Sequence, residues 1–214
     1  MTENSSPIPL RGIVGEPRKG KIGVLIEEHF DMTEFRLFNE SFPKHGYQVV
    51  YLSHLWGNPS LTFGSNPDAG WVEEHVLVET EITAADPADY KGIIVIGAYA
   101  SDRLRYQVTP RQGEPNQAPA VAFIRRALAD RHLKIGTICH SLWLLCADRA
   151  LLQGRRVTCA HNIVCDVENA GAEVVYGPEG TVDLVVDGNL ITGKHPGITD
   201  KFITTFLSEI ENGD

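Results

Sequence analysis

Apolar runs about one strand long recur along this chain, separated by turn-forming clusters and by stretches where apolar residues return every three or four positions. Residues 21–26 (KIGVLI) form a short, partly β-branched run that predicts a strand. Asp31-Met32-Thr33-Glu34 then opens a segment with apolar Phe35, Leu37, Phe38 and Phe42, which predicts a helix. Gly46 ends it, and residues 47–52 (YQVVYL) predict a second strand. A βαβ beginning implies a parallel sheet. Residues 92–97 (GIIVIG) are continuously apolar, as in a strand buried on both faces. An amphipathic helix is expected over 120–133, a strand at 134–138 and a helix through 141–152. Short strands follow at 156–159, 173–176, 182–186 and 190–192, with Asp187-Gly188-Asn189 as a hairpin cue and a last helix near 199–211.

Turn formers dominate LWGNPSLTFGSNPDAG, so residues 56–72 are expected to be an insertion on one edge of a single domain spanning 21–212. Its aromatic residues, Trp56, Phe63 and Trp71, suit a lid, a dimer surface or a satellite core under a long loop. The proline-rich stretch 109–119 reads as a loop. Residues 1–20 lack a charged start and an apolar h-region, and read as a loose arm in a cytoplasmic protein.

Composition narrows the partners. With 214 residues, 43% hydrophobic and 22% charged, the chain is long enough to bury a core and is no disulfide-stapled miniprotein. The net charge is -9, with no basic stripe to neutralise phosphates, so nucleic acid is not an expected partner. No apolar stretch approaches the roughly 20 residues of a membrane span. Cys139, Cys146, Cys159 and Cys165 contain no CxxC pair and are expected to be reduced thiols.

Candidate chemistry centres on Gly136-Thr137-Ile138-Cys139-His140-Ser141, where an apolar strand ends in a cysteine and a helical pattern begins at once. Such an elbow lifts the side chain at its tip above the sheet edge, beside the N–H groups of a helix start. Cys139 there is either a nucleophile or a small buried hydrophobe. A Cys159, His161, Cys165 cluster offers three ligands where closed zinc sites take four, so no metal is expected. Cys146, two helical turns after Cys139, is expected to pack rather than react.

The chain resembles the PfpI/ThiJ group, which includes intracellular proteases, parkinsonism-associated deglycases and glyoxalases that need no added cofactor. The matching segments are KIGVLIEEHFDMTEF, IIVIGAYASDRLR and the elbow IGTICHSLWLL, within roughly residues 21–210. The resemblance implies a doubly wound, mostly parallel α/β sheet flanked by helices, the flavodoxin-like, class I glutamine amidotransferase-like sandwich. It also implies a cofactor-free site acting on a small molecule. In it Glu34 is the buried glutamate that contacts the catalytic Cys139, and His140 is the base or ion-pair partner that lowers the thiol pKa. Asp102 is the acid that reaches the His140 of a neighbouring chain, which would require at least a homodimer, with Arg103 and Arg105 pairing across its two-fold axis.

Local pattern alone allows blander readings. Asp102 would be a solvated charge or a cap, and Glu34 part of a capping pattern after Asp31. In a dry pocket Glu34 would instead be protonated and act as a proton shuttle. Gly97 and Ala98 occupy the family's Gly-Gly turn, where the Ala98 and His140 N–H groups would form an oxyanion pocket. His161 and Asn162 fall where the family lines the same pocket, although His161 also suits a satisfied core histidine. Lys194 and His195 lie near a late turn that borders it. The expected activity is hydrolysis, hydration or glyoxalase-like chemistry through Cys139. The alternative is a redox-sensing or stress-protective protein without turnover.

Overall fold

A computed structural model describes residues 8–67, 73–106 and 109–213. Eight strands form the main sheet: β1 (Ile13–Val14), β2 (Gly20–Leu25), β3 (Tyr47–Ser53), β4 (Thr80–Glu81), β5 (Gly92–Val95), β6 (Lys134–Ile138), β7 (Leu184–Asp187) and β8 (Leu190–Gly193). Their order is β7-β8-β6-β5-β2-β3-β1, with β4 also paired to β3. From β8 to β3 every neighbour is parallel, while β7 and β1 run antiparallel at the two margins. The central strands are largely apolar because helices cover both of their faces.

Helices α1 (Met32–Lys44) and α6 (Thr199–Glu211) cover one face, joined by Phe38, Phe42, Phe202 and Phe206. The Phe202 and Phe206 rings stack with centroids 5.8 Å apart. On the other face lie α3 (Pro119–Ala129), α4 (Arg149–Leu152) and α5 (Val164–Asn169). The Asp31 carboxylate accepts the Glu34 N–H at 3.0 Å and starts α1, so the capping pattern is real. A short helix, α2 (Ala100–Leu104), follows the turn after β5.

The sheet changes direction of growth between β2 and β5. Strands added after β2 go first to one side as β3, then to the other as β5, β6 and β8. The crevice at the carboxyl ends of strands at such a point is where open α/β sheets hold ligands. Both Glu34 and the turn after β5 lie there.

Three expectations change. Residues 10–14 are not a loose arm: Leu10–Arg11 pairs parallel with His75–Val78, and β1 closes the edge of β3. Gly12 sits between them, its N–H on the Leu77 carbonyl at 2.7 Å and its own carbonyl on the Tyr51 N–H at 2.8 Å. Residues 1–7 lie outside the described residues. The insertion builds a small sheet, Leu61–Gly64 antiparallel to His75–Val78, which buries Phe63 in the same core as Phe35 and Tyr51 rather than in a satellite one, and leaves Trp56 exposed. Gly70 and Trp71 fall outside the described residues. The segment after β6 is a 3-10 helix over Cys139–Ala147, followed separately by α4, where a continuous helix was expected. Its ends are pinned, by the Ser141 hydroxyl bonded to both the N–H and C=O of Ile138 at 2.8 Å and by Asp148 capping α4. The tighter winding rises about 2.0 Å per residue against about 1.5 Å, so nine residues span a longer path between those pins.

Among the described residues no helix is long and apolar enough to cross a membrane. The seating of α6 on the sheet depends on two glycines: a Cβ at Gly136 would lie 2.6 Å from Phe202 Cζ, and one at Gly92 2.7 Å from Phe206 Cζ. Gly136→Ala is expected to lower unfolding stability by about 1–3 kcal/mol through overpacking, measured by urea denaturation.

Candidate active site

Cys139 leaves β6 with φ +58, the left-handed region that a non-glycine residue occupies only under constraint. The constraint is the strand-to-helix turn, in which the Cys139 carbonyl also accepts the Ala160 N–H at 3.1 Å. The side chain is partly exposed. The backbone N–H groups of His140 and Ala98 lie on the sulfur's side of the turn and act to lower the thiol pKa, the placement expected of an oxyanion pocket.

Ala98 has φ +57, in the turn where the family pattern has glycine. It is held there by an isolated bridge to Phe30, and the flanking bonds Asp31 N–H to Gly97 C=O (3.2 Å) and Tyr99 N–H to His29 C=O (3.1 Å) fix the turn. Alanine keeps the N–H donor and carries the backbone cost.

Glu34 is fully buried. Its Oε2 accepts the Gly97 N–H at 2.6 Å, and its Oε1 has no hydrogen-bond partner among the described residues. Burial, reinforced by Asp31, raises its pKa well above the ordinary carboxylate value, which favours the protonated acid. A Cβ on Gly97 would lie 2.5 Å from Oε1, so glycine is required for the carboxyl to sit there. Capping and pocket roles coexist: the backbone N–H of Glu34 serves Asp31 while its side chain points inward.

The thiol does not rest in the electropositive setting that the elbow suggested. Burial, with the charge of Glu34 second, pushes Cys139 up to about 12, against the two N–H bonds. A protonated Glu34 removes the second of these causes and leaves burial opposed by the amide donors. His140 is lowered from its ordinary value by burial, against the Asp102 charge. Its neutral ring is therefore the form available to take a proton near neutral pH.

His140 is held from two sides. Its Nε2 lies 3.6 Å from Asp102 Oδ2, and its Nδ1 lies 3.4 Å from Asn162 Nδ2. This carboxylate belongs to the same chain as the histidine. Arg105 stacks on Trp143 with its guanidinium carbon 3.7 Å from the ring centroid and donates to the Trp143 carbonyl at 3.2 Å.

The remaining candidates separate. Asn162 reaches His140, whereas His161 in the same 3-10 turn is exposed. Cys159 is buried, Cys165 is exposed, and among the described residues no three metal-ligating side chains converge. Cys146 is partly buried and its sulfur meets the Leu142 carbonyl at 3.8 Å. Lys194 pairs with Asp183 at 2.9 Å, and His195 accepts the Gly197 N–H at 2.9 Å, capping a turn. Tyr99 and Trp143, which flank the His140 ring at 5.9 and 5.8 Å, were not anticipated as site residues. Trp143 lies three residues beyond His140 on one 3-10 helix, a period that stacks side chains, but the sequence pattern there predicted an α-helix.

Ala98→Gly is expected to raise unfolding stability by about 1 kcal/mol, because glycine occupies the left-handed region without the Cβ penalty. Chemical denaturation of the two proteins measures it, and a loss of stability would mean that the alanine methyl contributes more packing than strain.

Comparison with known proteins places the chain among relatives of the same fold. The family model described as DJ-1/PfpI family matches residues 20–209. An uncharacterized protein of Staphylococcus haemolyticus is 26% identical over 200 residues, covering 89% of this chain and 98% of the relative. Among solved structures, a two-domain protein from Anabaena variabilis with DJ-1/ThiJ/PfpI-like and ferritin-like domains superposes with a TM-score of 0.73 at 26% identity. The match covers 90% of this chain and 48% of that one, so this chain spans about half of the two-domain protein. A ThiJ/PfpI domain protein from Brachyspira murdochii gives a TM-score of 0.73 at 14% identity, over 92% of this chain and 99% of that one, and shows the shared fold.

Proposed function

The chain belongs to the DJ-1/PfpI family, and on that premise we propose that it is a cysteine-dependent enzyme acting on a small carbonyl or amide-type substrate. The observation that carries this reading is a partly exposed Cys139 held at φ +58 at the strand-to-helix elbow, beside the left-handed Ala98 turn and the buried carboxyl of Glu34. A structural cysteine does not need the constrained backbone.

In this reading the neutral His140 ring takes the thiol proton as Cys139 Sγ bonds to the electrophilic carbon. The carbonyl π pair moves onto oxygen, where the Ala98 and His140 N–H groups hold the developing charge. Protonated Glu34 supplies a proton inside the pocket and can recover one, which serves proton relocation in a 2-oxoaldehyde as well as hydration. With an amide, the proton on His140 passes to the departing nitrogen as the C–N bond breaks. Asp102 orients the imidazole and stabilises its charged form, and the Asn162 amide donates to Nδ1 of the neutral ring. Gly97 makes room for Glu34, and the exposed His161 is left without a direct chemical role. A cytoplasmic setting suits the reading, since the nucleophile must stay reduced.

The test is turnover of methylglyoxal, small amides and peptides by wild type and Cys139→Ser. Turnover of at least one substrate, lost by at least about a thousandfold in the variant, is expected. Turnover that survives the substitution would overturn the mechanism. No turnover of any, together with stoichiometric oxidation of Cys139 by peroxide, would favour a redox-sensing role instead.

The pH profile has a definite sign. Because neutral His140 is the base, kcat should rise with pH through a group lowered below the ordinary histidine value and then level off. Asp102 raises the His140 pKa, so Asp102→Asn should move this acid limb to lower pH while reducing kcat through poorer orientation. A limb that stays in place would remove Asp102 from the mechanism.

A further inference from the structure

A second group of side chains meets at the carboxyl ends of β2 and β3, away from the sulfur chemistry and unused by it. Glu27 follows β2 and is 4% exposed, and Ser53 ends β3 with no exposure at all. The Glu27 Oε1 accepts the N–H of Glu28 at 2.9 Å, while the Ser53 hydroxyl has no hydrogen-bond partner among the described residues. Burial raises the Glu27 pKa, with Arg103 acting against it.

Both residues line a cavity of about 10 Å³, room for one water-sized group. Trp56, Arg103 and Tyr106 line it too, and the same three line a wider hollow of about 350 Å³, a volume typical of small-molecule sites. The cavity and the hollow thus adjoin across these three side chains, the cavity on the Ser53 side. The aromatic wall is held in place: Trp56 has φ +54, its ring packs on His54 at 4.5 Å and meets Tyr106 edge-on at 5.6 Å. His54 is in turn fixed by Glu81, Nδ1 to Oε1 at 3.1 Å. Constrained backbone of this kind is common at ligand clamps, and Trp56 and Tyr106 remain 40% and 57% exposed.

Two exposed rings, a guanidinium at the rim and an orphaned hydroxyl in an adjoining one-group cavity define one kind of guest. A buried hydroxyl left unpaired is costly, so the site gains by receiving a polar atom there. The flat rings receive a flat, unsaturated body, and Arg103 receives an anion.

We propose that this hollow is a second small-molecule site, selective for a planar aromatic carboxylate bearing one small polar substituent. The ring lies against Trp56 and Tyr106, the substituent enters the adjoining cavity to bond Ser53 Oγ, and the carboxylate pairs with Arg103. The proposal is independent of the chemistry at Cys139.

Calorimetric titration of the full chain with 4-hydroxybenzoate, benzoate and methyl 4-hydroxybenzoate tests it. Wild type and Cys139→Ser should both bind 4-hydroxybenzoate saturably, one per chain, with benzoate and the ester each weaker by about fivefold to tenfold. Ser53→Ala should bind 4-hydroxybenzoate and benzoate equally, and Arg103→Gln should no longer distinguish acid from ester. Absence of saturable binding, binding lost in Cys139→Ser but kept in the other two variants, or an ester that binds wild type as well as the acid would each overturn the proposal. Arg103 is on the surface, so its variant and the ester comparison decide the matter even if Ser53→Ala fails to fold.

Discussion

The hydrogen bond from the Gly97 N–H to the buried Glu34 carboxyl ties together parts of the molecule that are 63 residues apart in the chain. It joins the first turn of α1 to the turn after β5, beneath the elbow that carries Cys139. A carboxyl placed there must give up water, which favours its protonated form, and the turn beside it must lack a Cβ at residue 97. The next residue, Ala98, sits in the left-handed region, in a turn held by the Phe30 bridge and the Asp31 and Tyr99 bonds. Burial of one acid thereby constrains both the turn beside it and the protonation of the pocket.

The sheet and its covering helices give this arrangement its rigidity. Phe202 and Phe206 lie over glycines of β5 and β6, so α6 approaches the sheet closely and α1 packs beside it through Phe38 and Phe42. On the opposite face, the half-buried pair of Arg125 and Asp148 at 2.8 Å links α3 to the end of the 3-10 helix that begins at Cys139. The nucleophile candidate thus stands between two anchored layers. Such support maintains an unfavourable backbone conformation that isolated local preferences would abandon.

Electrostatics divides the site into two halves. Around Glu34 the surroundings are dry and charge is disfavoured, whereas His140 faces the half-exposed Asp102 and Asn162. Proton donor and proton acceptor are separated by environment, with Cys139 between them in the reaction proposed. Tyr99 and Trp143 flank the imidazole.

Much of the fold was legible in the chain because its signals are local. Continuous apolar runs at 21–26, 47–52 and 92–97 mark doubly covered strands, Asp31 before Phe35 and Phe38 marks a helix start, and a cysteine directly after 134–138 marks an elbow. The resemblance added Glu34, His140, Asp102 and Asn162, and the first two of these are set by elements that the local pattern already places. What local pattern could not determine depends on distant partners. Residues 10–14 look like an arm until β3 and His75–Val78 offer their free edges. Asp102 meets the histidine of its own chain because α2 packs on the 3-10 helix, and Arg105 is taken by Trp143, 38 residues away. The protonation of Glu34 and Cys139 was likewise decided by the tertiary structure, since burial alone controls the water around them. Sequence determines which residue types are available and where strands and turns begin; only packing determines which charges lose their solvent and which backbone groups they meet.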